Sequence, residues 1–228
     1  MLNVIHGDNI VASRNYLNSL IEQLKNKGVK EIIRLDGKKV SLTQIIQALE
    51  SQSLFGTDKA IVIENLLSRQ KGKTKEEILN YLSQADIKLT CILWEPKSIH
   101  ANALKKFKNS QIKLFKTSAT VFKFLDSLKP KNTSSMIQLM DQSIASDSVE
   151  MVFYMLARQV RLLLLATGKN GLKMAPWQLG KLKKQAAIFR LPKLLKLHHK
   201  LLIIDEKTKT GQSPLGLEGE LDLLITSL

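Results

Sequence analysis

The chain has 228 residues, a length typical of one or two domains with a substantial buried core. Hydrophobic residues make up 44% of it and charged residues 24%, a composition that excludes an intrinsically disordered chain. Lysine and arginine number 35 against 20 aspartate and glutamate, so the net charge is +15 and a polyanionic partner is favoured.

The first 118 residues alternate between short apolar runs and amphipathic stretches. The runs LNVIH, EIIRLDG, KAIVIENL, KLTCILWE and IKLFKT predict five strands, and the segments between them have helical spacing. Asp8, Ser41 and Thr74 are predicted helix N-caps. Strands that alternate with helices indicate a mainly parallel sheet, because parallel connections must cross a face of the sheet. We therefore expect an α/β domain over residues 1–118.

From residue 119 onwards every apolar pattern has helical spacing. About six helices are predicted, which gives an all-helical domain over 119–228. The stretch from Met151 to Thr167 is apolar nearly all round, which is typical of a central helix, but its arginines interrupt it too often for a membrane span. Trp177 and Phe189 are predicted to anchor the packing of this domain.

The turn after the first strand is the place where α/β proteins bind phosphates. Here it reads HGDNIVASRN, which lacks the second glycine and the Lys-Ser/Thr pair of a P-loop, and Asp8 adds negative charge. The chain also has no G-x-G-x-x-G motif. We therefore predict no ATP hydrolysis and no bound cofactor.

Two carboxylates, Glu64 and Glu95, follow predicted strands. The simplest interpretation is that they are solvated strand ends, since neither has a second carboxylate nearby in sequence. The alternative is a magnesium-dependent nuclease that uses Glu64, Glu95 or Asp36. Cys91 lies inside an apolar run and is predicted to be a buried hydrophobe, and no Cys/His cluster has zinc spacing, so no metal is expected.

The N-terminus lacks the basic flank and long apolar run of a signal peptide, so a cytoplasmic location and no membrane contact are expected. Basic residues are dense around one predicted helix junction, and they include Lys181, Lys183 and Lys184. They form either sequence-independent contacts to DNA phosphates or a solvated face. A sequence-independent nucleic-acid-binding module therefore stays open as a third interpretation.

An apolar pair stands in a predicted loop, in the sequence Ser53-Leu54-Phe55-Gly56. Loops between a helix and a strand are usually polar. Leu54 and Phe55 therefore either fold back onto the core or insert into a hydrophobic pocket of a partner.

Four segments together resemble the delta subunit family of the bacterial DNA polymerase III clamp loader. They are, in chain order, VIHGDN, QALESQSLFGTDKAIVIEN, YMLARQVRLLLLATG and IDEKTKTGQSPLGLEGELDLLITSL. The resemblance implies an N-terminal parallel-sheet domain that is AAA+-like, of the P-loop type but degenerate, followed by a C-terminal helical collar. It further implies a non-catalytic subunit that binds and opens the sliding clamp, without ATP hydrolysis of its own.

The resemblance also implies roles for particular residues. Ser53, Leu54 and Phe55 would bind the clamp, and Arg158, Gln159 and Arg161 would lie in the collar, where they either pack its fold or contact neighbouring subunits. A nearly apolar helix that carries these three polar groups is expected to bury partners for them. The implied partners are the sliding clamp, the ATPase and delta-prime-like subunits of the loader, and primed DNA.

The chain departs from the family in its length. Members usually have a small helical lid between the two domains, whereas here IKLFKT leads directly into VFKFLDSL, which resembles the first collar helix. We expect that the lid is missing. The alternative is that residues 119–145 are a reduced lid and that the collar is truncated.

Overall fold

The computed structural model describes residues 1–51, 59–85, 87, 89–107, 110–130, 132–168 and 172–228. By its internal contacts the chain divides into two compact units, Met1–Thr117 and Ser118–Leu228. The predicted fold class, an α/β domain followed by an all-helical one, is confirmed.

The first unit is a five-stranded parallel sheet with helical crossovers. Its elements in chain order are β1 (Leu2–Gly7), α1 (Ile10–Asn26), β2 (Glu31–Asp36), α2 (Leu42–Glu50), β3 (Lys59–Glu64), α3 (Lys73–Gln84), β4 (Thr90–Glu95), α4 (Ala101–Leu104) and β5 (Ser110–Phe115). The strand order is β2-β3-β4-β1-β5. The register aligns His6 of β1 with Glu95 of β4, and Asp36 of β2 with Glu64 of β3. The carboxyl ends of these strands therefore lie along one edge.

Both faces of the sheet are covered, because alternate residues of the central strands belong to two separate cores. Ile61 and Ile63 pack in the core that includes α2 and α3, whereas Val62 packs in the core that includes α1. Cys91 is fully buried in the first of these cores, as predicted.

Two helix starts differ from the sequence prediction. Asn9, not Asp8, caps α1 by accepting a hydrogen bond from the N–H of Ala12, because the Asp8 carboxylate instead accepts from the N–H of Thr117. α3 begins at Lys73 with Gly72 as its N-cap, two residues earlier than a Thr74 cap allows. The Ser41 cap is confirmed, and it forms a reciprocal capping box with Gln44.

The second unit is helical throughout its described residues. Its elements are α5 (Ala119–Ser127), α6 (Thr133–Ser146), α7 (Val149–Thr167), α8 (Pro176–Ile188), α9 (Leu191–Lys209) and α10 (Gly216–Thr226). α7 contacts all five of the others, which confirms its predicted central position. Among the described residues, no helix is both long and apolar enough to span a bilayer.

Candidate functional site

The turn after β1 is closed by the chain's own backbone. The N–H of Gly7 donates to the carbonyl of Lys97 at 3.2 Å, and the N–H of Asn9 donates to the carbonyl of Phe115 at 3.1 Å. The Asn9 side chain takes a further N–H at the start of α1, that of Ala12. These are the groups that would hold a phosphate in a nucleotide-binding α/β domain. Here they already have acceptors, so the turn offers little to a phosphate.

Glu64, at the end of β3, is held by arginine. Both of its oxygens accept from the Arg14 guanidinium, at 2.8 and 2.9 Å, and Arg34 lies 3.7 Å from one of them. The hydrogen bonds from Arg14 hold the pKa of this carboxyl below its usual value. The Arg14 guanidinium also lies 3.7 Å from the centre of the Trp94 ring, which adds a cation–π contact.

Glu95, at the end of β4, is fully buried. Its two oxygens accept from the backbone N–H groups of Leu67 and Ser68, in the loop that follows β3. Burial raises the pKa of this carboxyl, and the hydrogen bonds from Ser68 and Leu67 offset only part of that effect. Glu95, at the end of β4, therefore holds the loop that follows β3 in place.

The expectation that both carboxylates are solvated strand ends is wrong. Glu95 is buried and bonded to backbone, and Glu64 is paired with Arg14, because each finds partners far away in sequence. Among the described residues, no three His, Cys, Asp or Glu side chains are grouped as metal ligands would be. These contacts weigh against a magnesium site built on Glu64 or Glu95.

Replacing Glu95 by glutamine is expected to flatten the pH dependence of stability. The folded pKa of Glu95 lies above the ordinary value that the unfolded chain restores, so folding binds a proton between the two values. The stabilisation from this proton is complete below the ordinary pKa and is lost as the pH rises through the folded pKa. Glutamine has no such proton.

This expectation is tested by urea unfolding at a series of pH values from about 4 to 8. Wild type should lose stability relative to Glu95→Gln as the pH rises. Glu77→Gln, which alters an exposed carboxylate on α3, is the matched control and should follow wild type. Parallel curves for wild type and Glu95→Gln would contradict the expectation.

The predicted clamp-binding residues Ser53, Leu54 and Phe55 lie outside the described residues, in the segment 52–58. The residues on either side of that segment are hydrogen-bonded to each other. The Lys59 ammonium, which is buried, donates to the Ser51 hydroxyl at 2.9 Å and also to the Ser51 carbonyl. The segment therefore leaves α2 and enters β3 at two residues that are held together.

The polar residues of α7 divide into two groups. Gln159 donates to the Gln185 side chain of α8 at 2.7 Å, and Gln185 donates to the carbonyl of Leu125 at 2.7 Å. Gln159 thus has the buried partner expected for it. Arg158 and Arg161 are exposed, so the same expectation is wrong for them, because they lie three residues apart on the outer face of the helix.

The candidate phosphate contacts lie on α8. Lys181, Lys183 and Lys184 are all exposed, and Lys181 pairs with Asp126 at 2.6 Å. Phe189 is buried as predicted, but Trp177 is 71% exposed, so its prediction as a packing anchor is wrong. The reason is helical phase, since Trp177 lies on the same face as Lys181 and Lys184, at i+4 and i+7.

The residues that sequence reasoning missed are Arg14, Lys59 and Gln185. Each bonds a partner in another element or across a loop, which no local pattern reports. One signal was available for Lys59, since a lysine that opens a strand of otherwise apolar residues needs acceptors for its ammonium group.

One protein family and two solved structures are similar to this chain. A family model described as "DNA polymerase III, delta subunit" matches residues 4–125, more than half of the chain and including the segment 52–58. Two solved structures are similar, each at 14% sequence identity. The Bacillus subtilis DNA clamp loader delta protein (YqeN) has a TM-score of 0.45, and the match covers 99% of this chain and 94% of that protein. A DNA polymerase III gamma subunit-related protein from Thermotoga maritima has a TM-score of 0.39, and the match covers 100% of this chain and 93% of that protein. The curated proteins include no match to this sequence.

Proposed function

Because this chain belongs to the DNA polymerase III delta subunit family, we propose that it is a cytoplasmic, non-catalytic clamp-loader subunit that binds and opens the sliding clamp. The observation that carries the proposal is the family match over residues 4–125, which includes Leu54 and Phe55. These two side chains would enter a hydrophobic pocket of the clamp.

Support for this role of the segment comes from its ends. Lys59 and Ser51, the described residues that flank residues 52–58, are hydrogen-bonded to each other. Loop ends that are fixed before binding lower the entropy cost of association. Burying one large apolar side chain contributes about 1.5–3 kcal/mol, so two such residues are enough to dominate the affinity.

In this proposal the energy for loading the clamp comes from ATPase partners. The turn after β1 is closed by the carbonyls of Lys97 and Phe115, which disfavours nucleotide binding there. Glu64 and Glu95 are engaged by Arg14 and by backbone N–H groups, so neither is poised for acid, base or metal chemistry.

The helical unit would join the chain to the ATPase and delta-prime-like subunits of the loader. Arg158 and Arg161 are exposed on α7 and form no hydrogen bond or ion pair with any residue that the structure describes, so they are available to a neighbouring subunit. On α8, Lys183 and Lys184 would contact phosphates of primed DNA, with Lys181 contributing once it leaves Asp126.

Replacing Arg158 and Arg161 together by alanine is expected to weaken assembly with the ATPase subunits while changing the free energy of unfolding by no more than about 0.5 kcal/mol. The matched control is Gln159→Ala, which leaves the Gln185 oxygen without its donor and should cost about 1–3 kcal/mol of stability. Size-exclusion chromatography of the mixed subunits and urea unfolding provide the two measurements. Normal assembly by the arginine variant would count against the proposed interface.

The proposed function is tested by titrating the wild-type chain with the sliding clamp of its own organism. We expect a dissociation constant in the micromolar range or tighter, equivalent to about −8 kcal/mol or better. Absence of binding by two folded proteins would mean that the family relationship reflects ancestry without this function.

A further inference from the structure

A strongly basic hollow lies in the first unit, where the turn after β2 meets the segment that leads into α3. Its volume is about 490 Å³. None of the described residues that line it is acidic, aromatic or a large apolar side chain. Five cationic side chains line it: Lys38, Arg69, Lys71, Lys73 and Lys75. Positive charge concentrated in a concave surface attracts polyanions.

Two of the cations are fixed in place. Arg69 donates to the carbonyl of Val40 at 2.9 Å, and Lys75 donates to the carbonyls of Leu67 and Arg69 at 2.6 and 2.7 Å. Carbonyl acceptors satisfy hydrogen bonds but leave the net charge in place. Burial lowers the pKa of Lys75; the charges of Glu95 and Glu76 oppose this effect, and those of Lys71 and Arg69 add to it. The hollow thus holds crowded like charges.

The other three cations, Lys38, Lys71 and Lys73, are exposed. Their ammonium groups form no hydrogen bond or ion pair with any residue that the structure describes. They differ in this from Lys106, whose ammonium lies 3.1 Å from the Glu76 carboxylate. These three lysines therefore have their full hydrogen-bonding capacity left for an external anion.

We propose that this basic hollow binds phosphate groups of a nucleic-acid backbone. The pattern fits backbone contact because several ammonium groups around one concave surface can engage successive phosphates without reading sequence. It does not fit a free nucleotide, since no aromatic or large apolar residue lines the hollow to hold a base.

The hollow lies at the opposite end of β3 from Ser51 and Lys59, the described residues that flank the proposed clamp-binding segment. It follows the carboxyl ends of β2 and β3, whereas residues 52–58 precede the amino end of β3. Six residues of strand span about 17–20 Å. Substitutions in the hollow should therefore leave clamp binding intact, and the inference stands or fails independently of the proposed clamp binding.

The test compares the full chain with its Lys71→Ala/Lys73→Ala variant by fluorescence anisotropy of a short labelled DNA duplex at several salt concentrations. Each phosphate contact contributes about 0.9 to the slope of log affinity against log salt, so the slope should fall by about 2 and the affinity by on the order of tenfold. The matched control is Lys27→Ala/Lys30→Ala, which removes the same charge from exposed positions before β2.

Retention of wild-type affinity and slope by the Lys71→Ala/Lys73→Ala variant, with thermal melting showing that it is folded, would overturn the proposal. So would an equal loss in the control variant, since that would make the effect one of net charge alone. A competition experiment with inorganic tripolyphosphate completes the test. If it displaces the DNA no better than sodium chloride of equal ionic strength, the backbone assignment holds, and displacement at micromolar concentration would replace it with a small-phosphate site.

Discussion

Replacing Leu54 and Phe55 together by alanine is expected to reduce the affinity for the sliding clamp by at least about a hundredfold. The physical reason is burial. Each side chain contributes about 1.5–3 kcal/mol when it leaves water for an apolar pocket, so the pair contributes about 3–6 kcal/mol, which corresponds to a factor of roughly 10² to 10⁴. Residues of this kind at the centre of an interface carry most of its binding energy.

The control for this prediction is a second leucine and phenylalanine pair. Phe122 and Leu202, in the helical unit, are 44% and 57% exposed. The Phe122→Ala/Leu202→Ala variant should bind the clamp as the wild type does. Circular dichroism and thermal melting of both variants separate binding from folding. If the Leu54→Ala/Phe55→Ala variant unfolds, the pair belongs to the core and the prediction fails.

The second large effect is on stability, and it concerns Gly7. A Gly7→Ala chain is expected to lose at least about 3 kcal/mol, a large fraction of the roughly 5–15 kcal/mol by which an ordinary domain is stable. Gly7 has φ +143°, and a Cβ built on it would lie 1.8 Å from the carbonyl oxygen of Phe115. That carbonyl belongs to the paired strand β5, so neither atom can move without breaking the sheet.

Gly28 offers the matched comparison. It also has a positive φ, +97°, but a Cβ there would meet nothing within 4 Å. Gly28→Ala should therefore cost only the backbone strain, about 1 kcal/mol. Urea unfolding of the two variants measures the difference. Equal stability losses would show that the approach of Phe115 to Gly7 does not limit the fold.

Much of the fold follows from local sequence. Five short apolar runs predict five strands because a parallel sheet buried on both faces needs continuous apolar residues, as at positions 60–63 in the middle of β3. The helix starts at Ser41 and Ser148 also depend on local sequence, since each serine side chain accepts a hydrogen bond from the N–H three residues ahead. The sequence of the first turn lacks the motif of a phosphate loop, but it does not reveal that the structural role of Gly7 is to admit the Phe115 carbonyl.

The candidate site is less accessible to sequence reasoning, because its contacts are distant in sequence. Arg14 and Glu64 are 50 residues apart, and Gln185 bonds a carbonyl 60 residues away. No periodicity reports such pairs. The exposure of Trp177, in contrast, can be predicted from the sequence, since Trp177 lies on the same helical face as Lys181 and Lys184. Its hydrophobicity alone wrongly indicates a buried side chain.

The measurement that tests the central claim most directly is photocrosslinking from position 55. The photoreactive residue p-benzoylphenylalanine replaces Phe55, the chain is mixed with its sliding clamp and irradiated, and mass spectrometry identifies the crosslinked peptides. The same residue in place of Phe122 serves as the control. We predict crosslinks from position 55 to apolar peptides of the clamp and none from position 122. Crosslinks from position 55 solely to the chain's own core residues would contradict the account.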